Sequence, residues 1–311
     1  IFANPYDLSI DLPGMAYDWM VTTWTDPTDG LEKTKVRYYL RDNIGIVAPE
    51  NGAFVRYFNA SDYQWWVYYT FAGAGYWRWY DIMDIRYVEV VDEFTVDVYF
   101  NDLSMWFVYS PTAYILPRYE LEPLLCSSGS ISFDVDGVNY GLKDQLMEIP
   151  GLPDDYRGSV VRVLSATWTN ASDPGDIETI YEGTDFRVVA DYDTGMRDKI
   201  WFLRDFDAGT ITINYMYADK DPDGYFLAGL DWKQVMYTYG PYYLQDYVPG
   251  VDGHALLAAN PYHYLEIPPL GEIDWYYFWN LPPGVETNTH TEAEPHPLGG
   301  YYQINILDVS K

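Results

Sequence analysis

The stretch of this chain that comes nearest to a chemical site is Asp219-Lys220-Asp221-Pro222-Asp223-Gly224. Alternating carboxylates offer oxygen ligands in the order of the front half of a calcium loop, and a glycine permits its sharp turn. Asp219, Asp221 and Asp223 are therefore the candidate metal ligands. The glutamate that should close such a loop is replaced by Leu230, with Asp231 beside it, and Pro222 suits a wrapped loop poorly. An ordinary acidic turn competes with calcium here, and Asp134-Val135-Asp136-Gly137-Val138-Asn139 is a second, less complete version of the same pattern. Other chemistry has no visible home. The chain lacks a Gly-x-Ser-x-Gly elbow, a His-Glu-x-x-His pair, a phosphate-cradling loop ending in Lys-Ser or Lys-Thr, and a cysteine pair for zinc. Of four histidines, His290 and His296 fall in a polar stretch with nothing to hold a base in place. With 47 acidic residues, the closeness of two carboxylates in sequence carries no information about a glycosidase-like pair. The expectation is a protein that is not an enzyme and needs no cofactor, Ca2+ at the acidic turn being the one alternative.

Charge narrows the partners. A formal net charge of −29 repels phosphate backbones, so nucleic acid is excluded as a partner. The acidity suits a soluble, extracellular or cell-surface setting. The chain also holds 33 Tyr, 12 Trp and 13 Phe. Such side chains bury large areas while Tyr and Trp keep a polar tip, which fits binding clefts and subunit contacts as well as cross-strand pairs in sheets. Cys126 is the sole cysteine and can form no internal disulfide. The opening Ile1-Phe2-Ala3-Asn4-Pro5 has the look of a mature or trimmed chain. No apolar run reaches the roughly 18 residues that a spanning helix needs. Two sequons, at Asn59 and Asn170, are candidate N-glycan acceptors.

These residues need elements to hold them. Lys35 to Leu40 alternates as a strand, closed by Arg41-Asp42-Asn43. Asp62 to Phe71 reads as a short aromatic helix started by a Ser or Asp cap. Ile85 to Val91 and Phe94 to Phe100 alternate on either side of Asp92-Glu93, a hairpin with Tyr87, Glu89 and Val91 on one face and Arg86, Val88 and Val90 on the other. Phe186 to Ala190 and Thr210 to Met216 suggest a further β pair, and Ser127-Ser128-Gly129-Ser130 a flexible connector. Residues 281–297 read as a polar linker after a body spanning 1–280, and alternation resumes in 298–311, a strand placed to leave the body and dock elsewhere.

Several of these segments, in order, resemble the peptide-class solute-binding proteins of ABC importers. Trp19, Asp29-Gly30 and Tyr38-Tyr39-Leu40-Arg41-Asp42-Asn43-Ile44 are similar to that family's early stretch, and Phe58-Asn59-Ala60-Ser61-Asp62-Tyr63 to its first helix start. Ile85 to Phe100 resembles its hairpin and Tyr114-Ile115-Leu116-Pro117-Arg118 its Ile-Leu-Pro-Lys-His run, with Tyr119 where His is usual. The fullest match is Tyr239-Gly240-Pro241-Tyr242-Tyr243-Leu244, then Tyr247-Val248-Pro249-Gly250, Ala259-Asn260-Pro261-Tyr262-His263-Tyr264 and Gly271-Glu272-Ile273-Asp274. The resemblance implies a mixed α+β, periplasmic-binding-protein-like lobe, rich in twisted sheet with short helices, followed by an extended linker and strand. It implies an extracytoplasmic receptor for a peptide or oligosaccharide that hands its ligand to a membrane permease without a cofactor. Tyr239, Gly240, Pro241 and Tyr242, with Trp77 and Trp79 of the aromatic stretch, are the ligand-binding candidates. Few residues follow Asp274, where the family continues into another large lobe, and three readings of this departure compete: a fragment of such a receptor, a missing lobe carried on a separate chain, or a fold reused for something structural. A lobe reused as a structural subunit would associate with copies of itself in an extracellular filament or surface layer, through aromatic surfaces and a donated C-terminal strand.

Overall fold

β-Branched and aromatic residues at alternating positions dominate the chain, and the architecture follows them. The computed structural model describes residues 14–72, 82, 84–109, 115–190, 196–219, 231–248, 254–265, 272–278 and 301–306. It is a mixed α+β fold, mostly sheet with a few short helices. The chain divides into two units: Ile1–Leu40 with Asn59–Ala228, and Arg41–Phe58 with Gly229–Lys311.

In the larger unit, strands β1 (Ala16–Thr25), β2 (Glu32–Leu40), β5 (Ile85–Asp92) and β6 (Thr95–Phe100) form an antiparallel sheet in the order β1-β2-β6-β5. The expected strand and hairpin are both present. One face is apolar, with Val36, Tyr38, Val88, Val96, Val98 and Phe100 all buried. Helix α1 (Ala60–Phe71) packs there, and its cap is Asn59 rather than the expected Ser or Asp. Asn59 Oδ1 accepts the backbone N–H groups of Ser61 and Asp62, while Asp62 Oδ2 accepts the Asn59 N–H, a reciprocal capping box. Asp62 Oδ1 also takes the Arg118 N–H at the start of α2 (Arg118–Leu125), which joins the two helix starts.

The exposed edge of β5 is closed by side chains. Tyr68 of α1 donates its hydroxyl to the Val88 carbonyl at 2.8 Å and accepts the Val88 N–H at 3.0 Å, and Gln64 Nε2 reaches the same carbonyl. These bonds satisfy backbone groups that a neighbouring strand would otherwise take.

A second layer of this unit holds two further sheets. Strands β7 (Cys126–Val135), β9 (Arg162–Asn170), β10 (Ile177–Ile180) and β13 (Gly209–Ala218) run in the order β10-β9-β13-β7, and β8 (Leu146–Glu148), β11 (Phe186–Val189) and β12 (Lys199–Phe202) in the order β11-β12-β8. One core cluster unites them, with Phe133, Trp168, Ile211 and Ile213 from the first and Phe186, Val188, Ile200 and Phe202 from the second. Two expectations change here. The segments at 186 and 210 are strands but not partners, since β11 pairs with β12 and β13 lies between β7 and β9. Ser127 to Ser130 is no connector; it lies inside β7, paired residue for residue with Tyr217 to Asn214. Serine and glycine are tolerated because β7 is an edge strand whose outer face meets water. Cys126, at the start of β7, is free and buried, and burial pushes its thiol well above its ordinary pKa.

In the smaller unit, β3 (Gly45–Val47) and β4 (Phe54–Tyr57) form a hairpin, a short helix α3 spans Trp232–Val235, and β14 (Tyr242–Val248), β15 (His254–Ala259), β16 (Glu272–Phe278) and β17 (Tyr301–Ile306) make a sheet in chain order. The terminal strand expected to dock elsewhere instead pairs antiparallel with β16 of its own chain, from Ile273↔Ile306 to Phe278↔Tyr301. The linker of 281–297 lies outside the described residues. Gly45 is required by close approach, because a Cβ there would stand 2.7 Å from that of Tyr262.

Asp26 anchors the end of β1. Fully buried, it accepts Lys33 Nζ at 2.7 Å and both the hydroxyl and N–H of Thr28. Burial pushes its pKa up, but these bonds and the nearby Arg86 outweigh that and hold it below the usual carboxylate range. The resulting stability is complete above about pH 4, where the unfolded chain's Asp is ionised, and is lost as pH falls through the lower folded value. Asp26→Asn should cost about 3 kcal/mol near neutrality, because Lys33 and Arg86 lose a buried partner. It should also flatten the acid limb of stability. Urea unfolding between pH 5 and pH 2 checks this, and parallel curves for the two proteins would count against it.

Candidate functional site

The sheet face opposite α1 is aromatic and ionic. Cross-strand register brings Tyr87 of β5 opposite Tyr99 of β6, and their rings stack with centroids 4.2 Å apart and planes at 16°. Trp24 of β1 presents its edge to both, 5.9 Å from Tyr87 and 5.2 Å from Tyr99. Trp201 of β12 approaches Tyr87 from the other sheet at 6.1 Å. Val189, Leu146 and Leu203 complete the cluster.

Charges frame the rings. Arg187 of β11 lies 4.5 Å over Tyr87 and donates to Glu89 Oε1 at 2.8 Å; the Tyr99 hydroxyl donates to the other oxygen of Glu89. Lys35 Nζ lies 4.9 Å over Tyr99 and 2.6 Å from Asp97, which also receives a two-pronged bond from Arg37 at 2.5 and 2.7 Å. Asp97 is almost fully buried, yet the hydrogen bonds from Arg37 and Lys35 overcome the upward push of burial and hold its carboxyl below the usual range. Burial pushes the Tyr87 and Tyr99 hydroxyls up. The Met20 and Tyr17 side chains on β1 are exposed beyond this framed area, so the face is covered by β11 and β12 at one end and meets solvent at the other.

The indole Nε1–H groups of Trp24 and Trp201, both of this cluster, are buried without a hydrogen-bond partner. A buried donor left unpaired is costly and uncommon in native proteins. Two of them flank one stacked tyrosine pair at this face, and the Trp65 indole and Tyr63 hydroxyl of α1 are others of the same kind. The cluster joins stacked rings, two unpaired neutral donors and a rim of ion pairs, with Tyr87, Trp201 and Asp97 themselves nearly buried. Sequence reasoning placed Tyr87 and Glu89 on one face but passed over Trp24, Lys35, Arg187 and Trp201. The available signal was Arg187, a charge set between Phe186 and Val188 in an otherwise apolar strand.

The residues expected to bind ligand lie elsewhere. Tyr239 packs on Phe58 at 5.7 Å; the Gly240 carbonyl accepts Asn260 Nδ2 at 2.9 Å, and the Pro241 carbonyl accepts the Asn260 N–H at 2.8 Å. Tyr242 opens β14 opposite Ala259. Fully buried Asn260 thus ties the two ends of the β14–β15 hairpin together, with its Oδ1 taken by the Tyr262 N–H. Trp77 and Trp79 lie outside the described residues, as do Asp221 and Asp223. Asp219, at the end of β13, accepts the Ser127 hydroxyl at 2.6 Å. In the second acidic pattern, Asp136 accepts the N–H groups of Val138, Asn139 and Tyr140, and Asp134 accepts the Thr210 hydroxyl. These bonds make it an Asx-type turn and lower the Asp136 pKa. No group of three or more His, Cys, Asp or Glu placed to hold a metal occurs among the described residues.

Arg187 is one link between the two sheets at this face, beside the Tyr87–Trp201 contact and the bond from the Ala190 N–H to the Arg86 carbonyl. Arg187→Ala should destabilise the protein by about 1 kcal/mol through loss of the Glu89 bond and the stacking on Tyr87. A double-mutant cycle with Glu89→Gln should return a coupling of about 0.5 kcal/mol or more. Strictly additive losses would remove the Arg187–Glu89 pair as a link.

No protein-family model, no curated protein and no solved structure matches the chain.

Proposed function

We propose that this protein is an extracellular solute-binding receptor of an ABC importer, or a part of one, and that it takes a peptide or oligosaccharide on the aromatic and ionic face of β1, β2, β5 and β6. The observation that carries the reading is the pair of unpartnered indole N–H donors, Trp24 and Trp201, flanking the Tyr87–Tyr99 stack. Rings accept varied apolar surfaces by stacking, and neutral donors aimed at carbonyl or hydroxyl oxygens fit ligands rich in those groups. A face whose carboxylates Asp97 and Glu89 are already engaged by cations holds a ligand without attacking it.

Support also comes from the order of the sequence segments. The stretches that resemble the peptide-class receptors fall on β1, β2, the start of α1, the β5–β6 hairpin and the β14–β15 hairpin. Asn260, within the Ala259-Asn260-Pro261-Tyr262 stretch, closes the last of these through its side chain. The periplasmic-binding-protein-like lobe and the membrane permease as partner belong to this proposal.

Tryptophan fluorescence and thermal unfolding of the full chain, titrated with defined peptide and oligosaccharide pools, test the reading. Binding should raise the unfolding temperature and change the emission. Trp24→Leu and Tyr99→Leu should each weaken it tenfold or more, with the fold retained by circular dichroism. A chain that responds to neither pool and forms open-ended polymers by light scattering would replace the receptor with the structural subunit.

A further inference from the structure

We infer that Asn170 is an N-glycan acceptor in the folded chain and that Asn59 is not, although both carry the Asn-x-Ser pattern. Asn170 ends β9, and residues 171–179 that follow are all exposed. The base of this loop is fixed, because the Asn170 N–H donates to the Asp176 carbonyl and the Ala171 N–H to the Ala208 carbonyl. Between these anchors Asn170-Ala171-Ser172 stands at the surface with its side chains already arranged. The Ser172 hydroxyl donates to Asn170 Oδ1 at 2.7 Å, and the Ser172 N–H donates to the same oxygen at 2.9 Å. Asn170 Nδ2 has no partner among the described residues. Two donors on Oδ1 polarise the amide and make its N–H more acidic, which is the proton that must leave when this nitrogen becomes a nucleophile.

The Asn59 sequon is folded away. Its Oδ1 caps α1 through the Ser61 and Asp62 N–H groups, Ala60 is fully buried, and Asp62 is held by the Arg118 N–H as well. A transferase would have to unwind the first turn of α1 and break the capping box to reach it.

The co-substrate is a lipid-pyrophosphate-linked oligosaccharide. Asn170 Nδ2 attacks the anomeric carbon, a C–N bond forms, the C–O bond to the lipid pyrophosphate breaks, and Nδ2 gives one proton to a base of the transferase. No oxidant or reductant is needed. Occurrence in the cell rests on the proposed export; the acceptor chemistry does not, so the two fail separately.

The test incubates the folded full chain with a purified single-subunit oligosaccharyltransferase that accepts plain Asn-x-Ser/Thr and its lipid-linked sugar, read by intact mass and glycopeptide mapping. One glycan mass should appear, on Asn170. Asn170→Gln and Ser172→Ala should lose it entirely, Ser172→Thr should keep it, and Asn59→Asp, which preserves the helix cap, should change nothing. An unmodified wild-type chain, a glycan on Asn59, or a mass increment that survives Asn170→Gln would overturn the inference.

Discussion

A guanidinium removed from water must have its donors met by the protein, and the larger unit is arranged around one such group. Arg197 is 1% exposed. Its Nε donates to the Val188 carbonyl and its Nη1 to the Val160 carbonyl, Nη2 pairs with Glu182, and its backbone N–H donates to the Ser159 hydroxyl. Its flat face lies 3.8 Å over the ring of Tyr68. A cation in that position fixes three things together: the helix that carries Tyr68, the strand that carries Val188, and the segment at 159–160. Stripping Glu182 would leave an uncompensated buried charge, which is far costlier than the loss of one hydrogen bond.

The same economy of charge runs through the unit. The chain carries a large excess of acid, yet Lys33, Arg86 and Arg197 are nearly all withdrawn from solvent and held by carboxylates or carbonyls. Glu122 shows the converse, a nearly buried carboxylate gripped by Arg118 of its own helix and Arg162 of β9. Several of the few basic residues are used inside, as connectors between elements, although Arg157 and Lys233 pair with acids at the surface. The aromatic face follows this pattern, for its rings are steadied by Arg187 and Lys35 rather than by apolar neighbours alone.

Period-two alternation was enough to read β2 and the β5–β6 hairpin from sequence, because each has one face buried and register follows from that. It failed where alternation is masked. Ser127 to Ser130 has no apolar residue to announce a strand, and its pairing is supplied by β13, which lies some eighty residues away in sequence. Likewise, nothing local distinguishes Phe186–Ala190 as a partner of Lys199–Phe202 rather than of the strand at 210. The cap of α1 was misread by two or three positions because Asn59, Ser61 and Asp62 are all competent, and only the reciprocal bond from Asp62 selects Asn59. Of the aromatic face, Tyr87 and Glu89 were legible through the hairpin. Trp24, Arg187 and Trp201 arrive from three other strands, and such a convergence is a property of tertiary packing alone.

The Tyr68 hydroxyl, as donor and acceptor to one residue of β5, makes the first sheet asymmetric. One border is sealed by a side chain, while the other is β1, which presents Tyr17, Met20 and Val21 to solvent. A sheet with a single open border can be joined only once. With β5 capped by Tyr68, β1 is the border of this sheet at which a further strand could pair.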